Sequence, residues 1–177
     1  VYRIVFAIRR GFIRRFCREH HAVPVIVVGN LTVGGSGKTP VLIAIAHFLQ
    51  QKGLRVGVVS RGYGAQTKKF PYQVDATSPV RLSGDEPLLI AQKTHAPVVI
   101  SPKRNQAIRY LTQRRACDVI LSDDGLQHDA MAADIEIVVV DGERGFGNGY
   151  CLPAGPLREP VSRLATCDFV VVNEGEM

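Results

Sequence analysis

The 177-residue sequence lacks closely spaced cysteines, internal repeats and low-complexity linkers. Its four cysteines lie far apart and show no metal-ligand spacing with the five histidines, which argues against a disulfide framework or a zinc module. This cysteine usage indicates a reducing, cytosolic compartment. Hydrophobic residues make up 46% of the chain, which is enough to bury a core, so one globular domain is expected.

Acidic residues are nearly absent from residues 1–22, which contain six arginines and a single glutamate. Nearly all of the formal net charge of +6 therefore lies in this segment, and residues 23–177 are close to neutral. A charge confined to one end is a local feature, and no nucleic-acid partner is predicted from it.

Within residues 1–22 the apolar side chains fall on one face of a helical wheel and most arginines fall on the other, which predicts a basic amphipathic helix. The segment also lacks a long apolar run, because IVFAI is far shorter than the roughly 20 residues needed to cross a bilayer. We expect the helix to lie on an anionic membrane surface. A helix packed on its own domain and a cleaved transit peptide are the alternatives.

From Val23 onward, short runs rich in valine and isoleucine alternate with amphipathic stretches. The runs are VPVIVV, LRVGVVS, APVVIS, CDVILSDD, IEIVVVD and CDFVVVN. Continuous apolar runs are typical of strands that are covered on both faces of a parallel sheet. The pattern predicts an α/β domain over residues 23–177 with a doubly wound, mostly parallel sheet. Ligands bind such sheets at the carboxyl ends of the strands.

A glycine-rich segment, GNLTVGGSGKTP over residues 29–40, follows the first predicted strand and precedes a predicted helix. This context is the one in which a P-loop binds phosphates through backbone N–H groups and the helix N-terminus. Glycines retain the freedom that the loop needs, although a threonine replaces the usual first glycine. The alternative is a purely structural glycine turn. The predicted nucleotide-binding residues are Thr32, Val33, Gly34, Gly35, Ser36, Gly37, Lys38 and Thr39.

Two adjacent acids, Asp123 and Asp124, end the apolar run CDVILSDD. A carboxylate at this place can hold Mg²⁺, directly or through water, opposite the hydroxyl of Thr39. A strand-end turn is the alternative, since Asp-Asp-Gly is favourable turn chemistry. Asp141 ends the next run and competes for the same role.

The segment SGDEP over residues 83–87 opens a predicted helix near the same edge of the sheet. Asp85 could accept a proton from an attacking hydroxyl there, as phosphoryl transfer requires. The alternative is that Ser83 or Asp85 caps the helix. Arg61 in SRGYG and Arg104 in SPKRNQ each follow a predicted strand and could bind a phosphate or substrate, or lie on the surface.

Five segments, in this order, resemble the tetraacyldisaccharide 4'-kinase family of lipid A biosynthesis: VPVIVVGNLTVGGSGKTP, SRGYG, GDEP, SDDGLQH and LPAGPLREP. The resemblance spans nearly the whole chain and implies a P-loop NTPase-type fold. It implies transfer of the γ-phosphate of ATP, with Mg²⁺, to the 4'-hydroxyl of a lipid A disaccharide 1-phosphate. It also implies that residues 1–22 are a membrane-associating helix at the cytoplasmic face of the bacterial inner membrane.

The resemblance assigns roles to single residues of this chain. Lys38 and Thr39 become nucleotide and metal residues, Asp123 and Asp124 become the acids beside Mg²⁺, and Asp85 becomes the general base, with Lys38 and Asp124 also counted as catalytic. Candidates for contacts with nucleotide or substrate are Arg61, Arg104, His128 and Arg158. Members of the family are longer and have a C-terminal domain that closes over the site, so we expect the natural protein to extend beyond Met177.

A second hypothesis is a membrane-surface P-loop ATPase switch of the partition or transport type, without a small-molecule acceptor. It uses the same phosphate loop and the same basic N-terminal segment. A GTPase would carry Asn-Lys-x-Asp after a late strand, but here Asn173 is followed by Glu174. This difference argues against recognition of guanine.

Overall fold

The computed structural model describes residues 18–174, so most of the predicted helix over residues 1–22 lies outside the described residues. The elements, in chain order, are β1 (Val25–Gly29), α1 (Lys38–Gln51), β2 (Val56–Ser60), β3 (Tyr72–Val74), α2 (Val80–Ser83), α3 (Asp85–Thr94), β4 (Val98–Ile100), α4 (Arg104–Arg114), β5 (Val119–Asp123), β6 (Ile135–Asp141), a 3₁₀ helix (Val161–Thr166) and β7 (Phe169–Asn173).

The strands form one sheet in the order β3-β4-β2-β5-β1-β6-β7. Every neighbouring pair is parallel except β3 and β4, which are antiparallel. The predicted doubly wound α/β fold is confirmed, and each of the six predicted runs contains a strand. β3 was not predicted, because three residues with a tyrosine and a glutamine make no continuous apolar run.

The sheet has a hydrophobic core on each face, because successive strand residues point to opposite sides. In β5, Val119 and Leu121 pack on the face covered by α1 and α3, whereas Ile120 packs on the face covered by α4. Leu126 and Leu157, from two loops, complete the second face and are almost inaccessible to solvent. Hydrophobic side chains therefore pack against the central strands on both faces of the sheet.

The three helices beside the predicted site begin without side-chain caps. Gly37, with φ 77°, precedes α1, and Pro40 fits in the first turn because no intrahelical hydrogen bond is lost there. Gly84, with φ 81°, separates α2 from α3, and no side chain caps α3. The interpretation of Ser83 or Asp85 as the helix cap is therefore wrong. The hydroxyl of Ser83 instead donates to the carbonyl of Pro79, the residue that directly precedes α2.

The described part of residues 1–22 packs against the core. Glu19 forms a parallel bridge with Met131, and its backbone N–H donates to the carbonyl of Ala130 at 2.9 Å. The Glu19 carboxylate also pairs with Arg109 on α4. Among residues 18–174, no helix is long and apolar enough to cross a membrane.

Candidate phosphate and metal site

The glycine-rich loop connects β1, an inner strand that lies between β5 and β6, to the N-terminus of α1. Buried Asn30 closes the loop internally, since its amide donates to the carbonyl of Gly34 at 3.3 Å. Gly34 and Gly37 have φ values of 96° and 77°, which strongly favour glycine. The sequence around them therefore forms a sharp turn that ends in an uncapped helix N-terminus, a backbone arrangement suited to anions.

A second segment, residues 151–158, holds this loop from outside. Thr32 forms an antiparallel bridge with Leu157, and Val33 donates its N–H to the carbonyl of Pro156 at 2.8 Å. Arg158 donates its backbone N–H to the carbonyl of Leu31 at 2.6 Å. Thr32, at the position of the usual glycine, is thus a backbone-paired residue. The LPAGPLREP motif therefore supports the glycine-rich loop through backbone contacts.

Lys38 and Thr39 are the first two residues of α1, and both are buried. The Lys38 ammonium lies 3.6 Å from the carboxylate of Glu86, in the first turn of α3. This pair brings the phosphate loop and the SGDEP segment to one place at the carboxyl edge of the sheet.

Asp123 is the last residue of β5 and lies beside Val28 of β1 in the sheet. Its Oδ2 accepts a hydrogen bond from the Ser60 hydroxyl at 3.0 Å, whereas its buried Oδ1 has no hydrogen-bond partner among residues 18–174. Burial raises the pKa of Asp123 to about 6, and the negative charge of Glu86 adds to the increase. At neutral pH this is a buried carboxylate with one unpaired oxygen, which a cation would stabilise.

Asp124 has a different environment from its neighbour. Arg158 Nη1 contacts its Oδ1 at 3.1 Å and its Oδ2 at 2.9 Å. Asp124 has a positive φ of 51° and directly precedes a turn over residues 125–128, which the hydrogen bond from the His128 N–H to the Gly125 carbonyl closes. The Asp-Asp-Gly segment therefore leads into a turn and also supplies a carboxylate with a free oxygen for the candidate metal site. Of the two predicted metal ligands, Asp123 has the free oxygen.

Arg104 is buried, so the surface interpretation of this residue is wrong. Its guanidinium donates to the carbonyls of Ser101 and Asp123 at 3.1 and 3.0 Å, and burial lowers its pKa to about 10. Arg61, by contrast, is exposed on the loop after β2. Burial lowers the pKa of His128, and the positive charge of Arg104 adds to this effect.

The remaining predicted acids occupy separate positions. Asp85 is exposed at the first position of α3, and no hydrogen bond or ion pair joins its side chain to any other residue within 18–174. Asp141 accepts the backbone N–H groups of Glu143 and Arg144 through Oδ1, so it stabilises the turn after β6.

The sequence model of the tetraacyldisaccharide-1-P 4'-kinase family matches residues 1–177. The chain belongs to this family. It is 59% identical over 175 residues to a tetraacyldisaccharide 4'-kinase of Legionella pneumophila (strain Corby), covering 99% of this chain and 54% of the relative. It is 54% identical over 172 residues to that of Aeromonas salmonicida (strain A449), covering 97% and 51%. The chain thus spans about half the length of the curated relatives that it matches.

A crystal structure of LpxK from Aquifex aeolicus, described as an "apo" form in complex with ATP, superposes on this family member with a TM-score of 0.85. The two sequences are 31% identical, and the match covers 97% of this chain and 55% of that one. The similarity shows that the sheet, the glycine-rich loop and the helices described above form the fold of this kinase family.

In this 4'-kinase family member, a Mg²⁺ ion would need few protein ligands. Among residues 18–174, no group of three or more His, Cys, Asp or Glu side chains could hold a metal ion. Mg²⁺ at phosphate-transfer sites uses one or two carboxylates together with substrate phosphates and water. The unpaired Oδ1 of Asp123 and the hydroxyl of Thr39 fit that requirement.

Several polar residues around the loop were not predicted from the sequence. Gln127 donates to the carbonyl of Asn30 at 3.3 Å and to the carboxylate of Glu159 at 2.8 Å, and Arg144 donates to the carbonyl of Gly35 at 3.3 Å. Ser60 and Glu86 contact the two central charged residues. The sequence pointed to them only weakly, because Ser60 is simply the last residue of a strand and Glu86 simply follows the predicted base Asp85.

Proposed function

We propose that the protein is an ATP- and Mg²⁺-dependent kinase that phosphorylates the 4'-hydroxyl of a lipid A disaccharide 1-phosphate. The observation that carries the proposal is the juxtaposition of two features at one sheet edge. An uncapped helix N-terminus begins with Lys38 and Thr39, and the neighbouring strand ends at Asp123 with an unpaired carboxylate oxygen. Membership of the 4'-kinase family and similarity to an ATP complex of LpxK support it.

The nucleotide phosphates are proposed to bind residues 32–39. Apart from its two chain neighbours, no atom of residues 18–174 lies within 4 Å of a Cβ atom added to Gly35, so packing among these residues does not require glycine there. Close approach of a ligand to the backbone does account for glycine at such a position. Lys38 neutralises the terminal phosphates, and the backbone N–H groups of the loop donate hydrogen bonds to them.

The metal is proposed to sit between Thr39 and Asp123. When bound, Mg²⁺ would supply positive charge that offsets the negative charge developing on the phosphates during transfer. Asp123 Oδ1 and the Thr39 hydroxyl would hold it, directly or through water. Asp124, which was also predicted as a ligand, keeps its carboxylate on Arg158 and positions the turn after β5.

Asp85 is proposed as the general base. Its carboxylate takes the proton of the 4'-hydroxyl while that oxygen bonds to the γ-phosphorus atom, and the bond from this phosphorus to ADP breaks with the electron pair leaving on ADP. Asp85 adjoins Glu86, whose carboxylate lies 3.6 Å from Lys38, so the turn that carries Asp85 begins close to the loop that is proposed to bind the phosphates. Arg61 and His128 are proposed to contact the acceptor or nucleotide.

The protein is proposed to act as a peripheral protein at the cytoplasmic face of the bacterial inner membrane. The acceptor is a lipid, and the six arginines of residues 1–22 suit an anionic membrane surface. No nucleic-acid partner is proposed, because the remaining chain is nearly neutral.

The proposal is tested by incubating the natural full-length protein with ATP, Mg²⁺ and the disaccharide 1-phosphate lipid. The expected result is a lipid product with one added phosphate, formed together with one ADP. ATP turnover that does not change when the lipid is added, with no phosphorylated lipid, would reject the kinase and favour the membrane-surface ATPase switch.

A further inference from the structure

Ser60 and Asp123 meet where two neighbouring strands end. β2 and β5 are parallel neighbours, with Val59 beside Ser122 in register, so the next residues along the two strands face the same edge. The Ser60 hydroxyl donates to Asp123 Oδ2 at 3.0 Å, and both residues are buried, at 4% and 1% exposure. Water therefore has little access to compete for this hydrogen bond.

We propose that Ser60 is a positioning residue for the metal site, an inference that rests on the proposed function. Its hydroxyl occupies one oxygen of the carboxylate and leaves Oδ1 as the oxygen without a protein partner. Ser60 thereby fixes the rotation of the carboxylate and selects the oxygen that is offered to Mg²⁺. Hydrogen-bonded residues behind a metal ligand commonly orient it in this way.

The backbone of Ser60 is itself fixed on the other side. Its carbonyl accepts the N–H of Ser101 at 3.0 Å, and it lies beside Ile100 of β4 in register. Ser60 is thus held between β4 and β5 at the end of a strand. A side chain on a rigid strand can set the orientation of its partner more closely than a side chain on a loop.

Removal of the hydroxyl has a specific consequence. In Ser60→Ala, both oxygens of a buried carboxylate would lack a protein donor. The carboxylate could then rotate away from the metal-facing orientation, or point its other oxygen toward the metal. Ser60→Thr keeps the donor, so it should keep the orientation.

Ser122 offers a matched control. It is the residue before Asp123, it is buried, and its hydroxyl has no hydrogen-bond partner in the described part of the chain. Ser122→Ala removes a buried hydroxyl one residue from the carboxylate without removing the hydrogen bond to it. If loss of packing at the strand ends were the cause, metal affinity should fall in both serine variants. If Ser60 positions the carboxylate, metal affinity should fall only in Ser60→Ala.

The test measures Mn²⁺ binding to the full-length protein by electron paramagnetic resonance, with a non-hydrolysable ATP analogue present. We expect Ser60→Ala to weaken Mn²⁺ affinity by about 10- to 100-fold. Ser60→Thr and Ser122→Ala should remain within about threefold of the unsubstituted protein, and binding of the analogue without metal should not change. In kinase assays, Ser60→Ala should need more Mg²⁺ for half-maximal rate and recover much of its kcat at saturating Mg²⁺.

Unchanged Mn²⁺ affinity in Ser60→Ala would overturn the inference and leave the kinase proposal intact. An equal loss in Ser60→Ala and Ser122→Ala would also overturn it, because packing would then explain both. If Ser60→Ala does not fold, Ser60→Cys replaces it, with a weaker donor and an expected loss of at least about threefold; unchanged affinity in Ser60→Cys would overturn the inference. Absence of Mn²⁺ and analogue binding in the unsubstituted protein would reject the proposed function itself.

Discussion

The guanidinium group of Arg158 contacts both carboxylate oxygens of Asp124, with Nη1 at 3.1 Å from Oδ1 and 2.9 Å from Oδ2. The contact joins the end of the LPAGPLREP segment to the turn after β5. The same segment pairs with the phosphate loop through the backbone of Thr32 and Val33. One short stretch therefore connects the loop that is proposed to bind phosphates with the acids that are proposed to face the metal.

Arg158→Ala should weaken ATP binding by about tenfold, because the segment that supports the phosphate loop loses its side-chain anchor. The coupling free energy between Arg158→Ala and Asp124→Asn in a double-mutant cycle should be about 1 kcal/mol, as expected for residues in direct contact. Isothermal titration calorimetry with ATP measures the affinity. Arg55→Ala is the control, since Arg55 pairs with Asp118 at an exposed site. Equal affinities for the two arginine variants would contradict the prediction.

Asp123→Asn should stabilise the metal-free, nucleotide-free protein at neutral pH. Burial raises the pKa of Asp123 from 3.8 to about 6, so the folded state binds more protons than the unfolded state between these values. The free energy of unfolding therefore falls as the pH rises through this window, and the cost is fully present above about pH 6.

The Asn variant removes that cost, so its free energy of unfolding should exceed that of the unsubstituted protein by about 1–3 kcal/mol at pH 7.5. Near pH 4 the difference should be small, because Asp123 is then protonated in the folded state. Urea denaturation at several pH values measures this. Asp118→Asn, at a carboxylate whose pKa Arg55 lowers to about 2, should give no such gain. A gain of the same size at both ends of the pH range would disprove the titration argument.

Asp85→Asn should abolish phosphate transfer and leave ATP affinity within about threefold. The amide cannot accept the hydroxyl proton, and loss of general-base catalysis costs about 10²–10⁴-fold in rate. Product formation and ATP binding are measured separately, with Asp75→Asn as an exposed control acid on the loop after β3. Turnover close to normal in Asp85→Asn would remove this residue as the base.

Deletion of residues 1–17 should weaken binding to anionic vesicles by at least about tenfold. The deletion removes five of the six arginines, each of which contributes about 1 kcal/mol near such a surface. It keeps Arg18 to His21, which pack on the core. Co-sedimentation with anionic and neutral vesicles measures the effect, and activity on detergent-dispersed acceptor checks the fold. Unchanged partitioning would show that these residues are not the membrane anchor.

The local features of the fold and the site could be predicted from the sequence. Six of the strands could be predicted from continuous apolar runs. The glycine-rich loop with Lys38 lies between a predicted strand and a predicted helix, and the paired acids end a predicted strand. β3 could not be predicted, because it has only three residues, of which Tyr72 and Gln73 are partly exposed, and its pairing with β4 depends on tertiary contact.

The side-chain pairs within the site could not be predicted, because each joins residues far apart in the chain. Ser60 and Asp123 are separated by 63 positions, and Arg158 and Asp124 by 34. Their contact follows from the strand order and from the path of the loops, neither of which hydrophobic periodicity determines. For the same reason Arg104, an arginine after a strand, could not be recognised as a buried residue that holds the backbone at Asp123.

The proposed kinase function requires that the loop over residues 32–39 binds the phosphates of a nucleotide whose magnesium faces Asp123. A crystal structure of the full-length protein with a non-hydrolysable ATP analogue and Mg²⁺ tests it most directly. We expect the triphosphate within hydrogen-bonding distance of these backbone N–H groups, and the metal between the Thr39 hydroxyl and Asp123 Oδ1. An analogue bound elsewhere with this loop empty, or an Asp123 side chain directed away from the metal, would contradict it.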